Sequence, residues 1–152
     1  MRIREMCPTD LDGVMAIEEV SFPTPWSRGM FIEDFPRDFS DTLVAAGTDD
    51  EVLGYAVCWT IAGEAHLLNI AVHPVRRGQG IGRALLAECI RRAARAGASL
   101  IFLEVRAGNE AAQRLYRSMG FVIRGIRKGY YTDTGEDAVL LDREVRVSDA
   151  AR

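Results

Sequence analysis

Two periods of apolar residues alternate along this chain, one near 3.6 and one near 2, and they divide it into about four helices and six or seven strands. Leu11, Val14 and Met15 recur at i, i+3 and i+4 behind Thr9 and Asp10, either of which can cap the helix they open; the pattern runs to about Val20. Ser27 caps a short second helix ending near Pro36, and Ile3 lies in a short first strand. Thr42–Ala46 and Val52–Ile61 read as strands joined through Asp49-Asp50. Gly63-Glu64 turns into a third that contains the apolar run Leu67–Val72, and the three make an antiparallel meander. Leu85, Leu86, Cys89, Ile90 and Ala93 then mark one face of a long helix that Gly97 ends. Leu100–Arg106 is a strand that must return parallel to the earlier one, because a helix separates them. Asn109 caps a fourth helix through Met119, with Ala112, Leu115, Tyr116 and Met119 at helical spacing and Gly120 as its end. Phe121–Arg127 and Ala138–Val145 form a last hairpin around the segment 128–137. The expected class is α/β of the α+β kind, a mixed and mostly antiparallel sheet with a central parallel pair.

Composition narrows what such a domain can do. The 152 residues make one domain, expected over 1–147 with a frayed tail at 148–152. With 48% apolar residues the core is sufficient without staples. Cys7, Cys58 and Cys89 are an odd, widely spaced set and read as reduced core residues. With only His66 and His73 to join them, no metal site is expected. A net charge of −3 argues against general affinity for nucleic acid. No run of 18 apolar residues crosses a membrane and Met1-Arg2-Ile3-Arg4-Glu5 is no signal segment, so the expected location is cytoplasmic, as a monomer or weak dimer.

The candidate chemistry begins at Val72-His73-Pro74-Val75-Arg76-Arg77-Gly78-Gln79-Gly80-Ile81-Gly82-Arg83. A buried strand stops at a proline, three glycines follow at alternate positions, and a helix begins. Free amides and the helix dipole suit an anion there, and Arg76, Arg77 and Arg83 add charge. A pyrophosphate fits this description. Nucleotide hydrolysis is disfavoured, because Gly82 is followed by Arg83-Ala84 and the chain's only lysine is Lys128. A dinucleotide fingerprint would need glycine at position 83, although Glu104 lies about where a ribose-binding acid would stand. A ligand-free glycine turn is the remaining alternative.

Arg77-Gly78-Gln79-Gly80-Ile81-Gly82 matches Q/R-x-x-G-x-G, and on that motif the chain resembles the GNAT-family N-acetyltransferases. The resemblance extends from the first helix to Glu144. Leu115-Tyr116-Arg117-Ser118-Met119-Gly120-Phe121 matches the family's L-Y-x-x-x-G-F pattern, and Phe22-Pro23-Thr24-Pro25-Trp26-Ser27 and Leu103-Glu104-Val105-Arg106-Ala107-Gly108-Asn109 are similar to segments of its RimI-type ribosomal-protein-alanine branch. The resemblance implies a GNAT fold whose parallel pair is splayed, with acetyl-CoA as co-substrate. Gly78, Gln79, Gly80, Ile81, Gly82 and Arg83, with Arg77, would then hold the pyrophosphate. Ile70, Ala71 and Val72 would offer backbone groups to the pantetheine arm and thioester carbonyl, and Asn109 would contact acetyl-CoA. Phe22, Pro23, Trp26, Tyr130 and Tyr131 would hold the acceptor, a protein N-terminus and above all the N-terminal Ala of a small-subunit ribosomal protein.

Acetyl transfer to an amine needs a neutral amine, a stabilised carbonyl oxygen and a protonated leaving thiolate. By the resemblance Glu104 is the general base and Tyr116 the general acid. Each has a plainer reading. On strand position alone Glu104 is better explained by a salt bridge with Arg106 or another arginine, and Tyr116 is otherwise a core tyrosine of an amphipathic helix. The Phe22–Trp26 stretch could be a hydrophobic plug, and His66 and His73 are rival bases that more simply read as strand-end residues. Acetylation of a small-molecule amine or a lysine, broad protein N-terminal acetylation, and a CoA-binding sensor without turnover are the alternative functions.

Overall fold

The apolar runs of the first half pair in chain order in the computed structural model, which describes residues 1–151. β1 (Arg2–Glu5), β2 (Ser40–Ala46), β3 (Val52–Ile61) and β4 (Glu64–Val72) form an antiparallel meander. The β3–β4 link is a tight turn with Ala62 at φ 51° and Gly63 at φ 83°, the paired positive values that match the twist of the flanking strands. α1 (Leu11–Ser21) and α2 (Arg28–Asp34) lie between β1 and β2 in the chain and cover one face, where Leu11, Val14, Ile17 and Phe31 pack on Val44, Tyr55 and Val57. α3 (Ile81–Arg95) covers the other face through Ile81, Leu85, Leu86, Cys89 and Ile90. It presses close: a Cβ on Gly54 of β3 would stand 3.2 Å from both Ile81 Cγ2 and Leu85 Cδ1 and 2.9 Å from the Ala71 carbonyl.

β5 (Leu100–Arg106) returns parallel to β4, and β6 (Val122–Tyr131) and β7 (Glu136–Glu144) follow α4 (Glu110–Ser118) as a hairpin. The strand order β1-β2-β3-β4-β5-β7-β6 puts the parallel pair at the centre of a seven-stranded sheet, as the alternation of periods predicts. The pair is short. Only Glu64, Ala65 and His66 are in register with Leu100, Ile101 and Phe102; beyond them no ladder joins the strands, and they line a cleft from opposite sides.

A bulge in β4 decides what faces that cleft. Val57 of β3 pairs with Asn69 and Cys58 with Leu67, so Leu68 is an extra residue. Ala65 and Leu67 therefore face α3, whereas Ala71 faces α1 with Val57 and Tyr55. Simple alternation along Leu67–Val72 does not anticipate this reversal.

Several local expectations change. Ser27 and Asn109 cap their helices by accepting from the amides of Met30 and Ala112, both at 3.2 Å. Asp10 does not cap α1. Its carboxylate turns back to the Cys7 amide at 2.8 Å and to both Arg4 terminal nitrogens at 2.7 and 2.8 Å. Burial alone would raise the Asp10 pKa, but these bonds outweigh it and hold the group below its ordinary value. Cys58 and Cys89 are buried thiols, while Cys7 is at the surface and is no core residue. The last strands are longer than expected, so Tyr130 and Tyr131 end β6 instead of sitting in a long loop. Of the tail expected to fray over 148–152, residue 152 lies outside the described residues and the rest belongs to a 3-10 turn, Val147–Ala151, against α3, where Arg143 grips Asp149 at 3.0 and 3.1 Å and Arg95 donates to the Ala150 carbonyl. Among the described residues no helix is long and apolar enough to cross a membrane.

Candidate active site

The cleft between the parted strands measures about 1220 Å³ and holds most of the residues that the sequence singles out. The glycine loop is part of its lining. Gly78 and Gly80 have φ of 77° and 83°, a region that side-chain-bearing residues rarely enter, and a Cβ on either would meet no atom within 4 Å. Their faces are open to a ligand at the point where α3 exposes its first amides. Arg77 and Arg83 flank the loop; Arg77 Nε donates to the Val72 carbonyl at 3.2 Å, and Arg83 donates to Ser118 Oγ at 2.7 Å. Gly82 packs under α4, since a Cβ there would lie 3.3 Å from Leu115 Cδ2. Ile70, Ala71, Val72, Ile81 and Asn109 line the same cavity; Gln79 is exposed and lies outside it.

Glu104 and Tyr116 both line the cleft. β5 alternates as expected, with Ile101, Leu103 and Val105 buried and Phe102, Glu104 and Arg106 on the more open face. The arginine bridge expected on position alone is absent. Arg106 instead engages Asp133 at 3.1 and 2.8 Å, and Glu104 Oε2 meets His66 Nε2 at 2.7 Å. That hydrogen bond, opposed by burial and helped by the Arg127 charge, holds Glu104 below the usual carboxylate range. His66 is thus no mere strand-end residue: its ring stacks on Phe102 with centroids 4.3 Å apart and planes 15° apart. His73 does end its strand, accepting the Val75 amide at 3.3 Å. Tyr116 is buried against Phe121, and burial raises its phenol pKa, so it is a proton holder at neutral pH.

Aromatics line the cleft as well, and Arg77 of the glycine loop donates to Ser21 Oγ, beside Phe22, at 3.4 Å. Phe22, Trp26, Tyr130 and Tyr131 line the cleft, whereas Pro23 is exposed and does not. The α1–α2 loop is held by Glu18, 1% exposed, which accepts from Tyr55 Oη at 2.5 Å, Asn69 Nδ2 at 2.8 Å and the Trp26 amide at 2.9 Å. Thr24 Oγ1 reaches across to Asp133 at 2.8 Å and ties this loop to the β6–β7 turn. Arg106 and then Thr24 bring the Asp133 pKa down to about 2, and Arg106 lies 4.1 Å over the Tyr131 ring. Burial first, and Glu104 after an opposing Arg106, raise the Tyr131 phenol to about 12. The sequence reading missed Glu18, Tyr55, Asn69, Thr24 and Asp133. Glu18 alone carried a signal, because it stands four residues after Val14 on the apolar stripe of α1.

Residues 11–121 match the model of the acetyltransferase (GNAT) family. The chain belongs to the GNAT acetyltransferases. Among relatives of this GNAT protein, the ribosomal protein bS18-alanine N-acetyltransferase of Escherichia coli K12 is 36% identical over 135 residues, 88% of this chain and 90% of the relative. The crystal structure of the ribosomal-protein-S18-alanine N-acetyltransferase from Escherichia coli superposes with a TM-score of 0.84 at 34% identity, covering 95% of this chain and 93% of that one. Ard1 from Thermoplasma volcanium gives 0.86 at 28% identity over 95% and 97%. Within the GNAT family the chain resembles the RimI-type enzymes. Among the described residues no group of three His, Cys, Asp or Glu side chains is placed to hold a metal.

Proposed function

We propose that this acetyltransferase moves the acetyl group of acetyl-CoA to the N-terminal α-amino group of a protein, and that the acceptor is the N-terminal Ala of a small-subunit ribosomal protein. The observation that carries the reading is one cleft lined together by an open glycine loop, by Glu104 and Tyr116, and by four aromatics. The name borne by the Escherichia coli relative supports the acceptor. Acetyl-CoA supplies an activated acyl thioester. The glycines of the loop, whose open faces suit a pyrophosphate, hold it with Arg77, Arg83 and the first amides of α3; Gln79 contributes backbone. Ile70, Ala71 and Val72, free of β5 along one edge, offer backbone groups to the pantetheine arm, and Asn109 contributes its side chain from the mouth of α4.

An α-amino group with a pKa near about 7.7–8.0 is mostly protonated at neutral pH, so a base must take its proton. Glu104 takes it, directly or through water. Tyr116 gives the proton of Oη to the departing sulfur. Phe22, Trp26, Tyr130 and Tyr131 seat the first residues of the acceptor, and Pro23 shapes the loop that carries two of them. Attack is direct, within a ternary complex, which accords with a cleft lined by no cysteine among the described residues. The enzyme works in the cytoplasm as a monomer or weak dimer.

CoA release tests this with peptides that differ only in their first residues (Ala-Arg, Ser, Thr and Met-Glu) beside a polyamine and an internal lysine peptide. Turnover confined to Ala-Arg is expected. Turnover across several termini would make it a general protein N-terminal acetyltransferase. Activity only on polyamine or lysine would overturn the assignment of the aromatics, and tight acetyl-CoA binding without release on any amine would leave a CoA-binding sensor.

A further inference from the structure

A base that takes a proton from an amine must pass it on before the next turnover, and Glu104 is a weaker base than the amine it serves. What stands behind it is His66. Glu104 lines the cleft and His66 does not. His66 is the last residue of β4 in register with β5, opposite Phe102, so its ring sits where the two strands part. The stack on Phe102 fixes the ring plane, and the 2.7 Å contact aims Nε2 at Glu104 Oε2. Its side chain is 28% exposed and that of Glu104 20%, so the ring also reaches solvent.

From this geometry we infer that His66 is the terminal proton acceptor of the site, a positioning residue that acts through Glu104 and gives the proton an exit away from the bound substrates. The inference rests on the function proposed above. One N–H bond of the acceptor ammonium breaks as an O–H bond forms on Glu104; that O–H breaks as an N–H bond forms on Nε2 of a neutral imidazole whose own proton is on Nδ1, the Nδ1 proton is the one then released, and the ring regains the Nδ1–H tautomer by exchange with water. Glu104 is then again a carboxylate, the amine is neutral, and the imidazolium loses a proton to bulk water. No oxidant or further reactant is needed. The charged and titratable groups around the pair are few. Arg127 and Tyr131 of β6 face Glu104. Trp59, beside His66 on β3, carries Arg37 over its ring and donates to Asp34, and Glu64 precedes His66 by two residues on β4. Among the described residues only Glu104 is within hydrogen-bonding distance of the His66 side chain.

The test is kcat against pH, at saturating acetyl-CoA and Ala-Arg peptide, for the wild type, His66→Gln and His66→Asn. Both amides can bond Glu104 but cannot titrate. In the wild type kcat should fall along a one-proton limb as pH drops. In the variants kcat at pH 7.5 should drop about tenfold or more, and the limb should move below about pH 5, while acetyl-CoA Kd stays unchanged. The same limb and the same kcat in all three proteins would overturn the role of His66 and leave the acetyltransferase reading standing. A second readout does not depend on turnover: the imidazole nitrogen-15 shifts of His66 should titrate differently in wild type and Glu104→Gln. Identical titrations would refute the coupling even if no peptide proved to be a substrate, an outcome that would separately remove the proposed acceptor.

Discussion

Glu18 offers the most direct check on how the α1–α2 loop is held against the sheet. It is fully buried, and three donors converge on it from three elements: Tyr55 on β3, Asn69 on β4 and the Trp26 amide in the α1–α2 loop. Each hydrogen bond to a charged group is worth about 1.5–3 kcal/mol, and each buried donor left without a partner costs about 1–3 kcal/mol. Glu18→Gln keeps the size but loses the charge and turns a donor NH2 toward donors, so it should cost about 2–3 kcal/mol. Glu18→Ala, which orphans all three, should cost about 3–5 kcal/mol. For a domain of this size the first loss corresponds to a Tm lower by about 4–12 °C. In a double-mutant cycle of Glu18→Gln with Tyr55→Phe, measured by urea denaturation, the coupling should be about 1–3 kcal/mol. The Trp26 amide is the functional end of the same network. Once it is released the loop is no longer preorganised, and the KM for an Ala-Arg peptide should rise about tenfold, the equivalent of about 1.4 kcal/mol. Acetyl-CoA affinity should not move, because none of the three donors to Glu18 belongs to the glycine loop. A Glu18→Gln variant within about 0.5 kcal/mol of wild type and with an unchanged peptide KM would refute the claim that this carboxylate holds the loop.

Tyr116→Phe should lower kcat about a hundredfold while leaving acetyl-CoA Kd, read by calorimetry, within twofold of wild type; equal turnover would remove Tyr116 from the mechanism. Gly80→Ala meets no atom but forces an alanine to φ near 83°, so it should cost about 1–2 kcal/mol of stability and weaken acetyl-CoA binding; an unstrained, full-affinity variant would show that the loop adapts. Asp10 has a folded pKa below its unfolded value near about 3.9, so its stabilisation is fully present above that value and is lost as pH falls through the folded one. Asp10→Asn should therefore lie about 1.5–3 kcal/mol below wild type at pH 7 by urea denaturation, and the gap should close as pH falls through the folded pKa; a pH-independent gap would mean that the carboxylate charge is not what Arg4 and the Cys7 amide recognise.

What could be read from the chain and what could not follow a physical division. Elements with a sustained period were legible: the long α3 stripe from Leu85 to Ala93, the alternation of Leu100–Arg106, and hence the parallel crossing that splits the sheet. Motifs whose chemistry lies in adjacent residues were legible too, so Gly78–Gly82, Glu104 and Tyr116 fall in one cleft as expected. Partnerships across the fold were not. Nothing near Glu104 in sequence names His66, 38 positions earlier, and Arg106 looked the nearer partner until Asp133 claimed it. The Thr24–Asp133 tie spans 109 positions and carries no local mark. The end of β6 was misjudged because Gly129, at φ 62°, reads as a turn residue but here forms a bulge within a strand. Asp10 does not cap α1 because Arg4 on β1, outside its local sequence pattern, and the Cys7 amide hold its carboxylate.

The most consequential illegible feature is the single extra residue at Leu68, because the acceptor loop and the glycine loop depend on it together. A regular β4 would keep positions 65, 67, 69 and 71 on one face, with Asn69 beneath α3 and Glu18 left one donor short. The bulge reverses the alternation after Leu67, which brings Asn69 to Glu18 and places Ile70 and Val72 against the α3 side, where the glycine loop begins. Pairing with β5 stops at His66, two residues before the bulge. One strand therefore leaves its parallel neighbour, turns a polar residue toward the acceptor loop and leads an apolar edge to the phosphate-suited helix end. Deleting Leu68 should accordingly impair both substrates at once, raising peptide KM and acetyl-CoA Kd together, whereas Glu18→Gln raises only the first. A deletion that disturbed one substrate alone would show that the two loops are built independently.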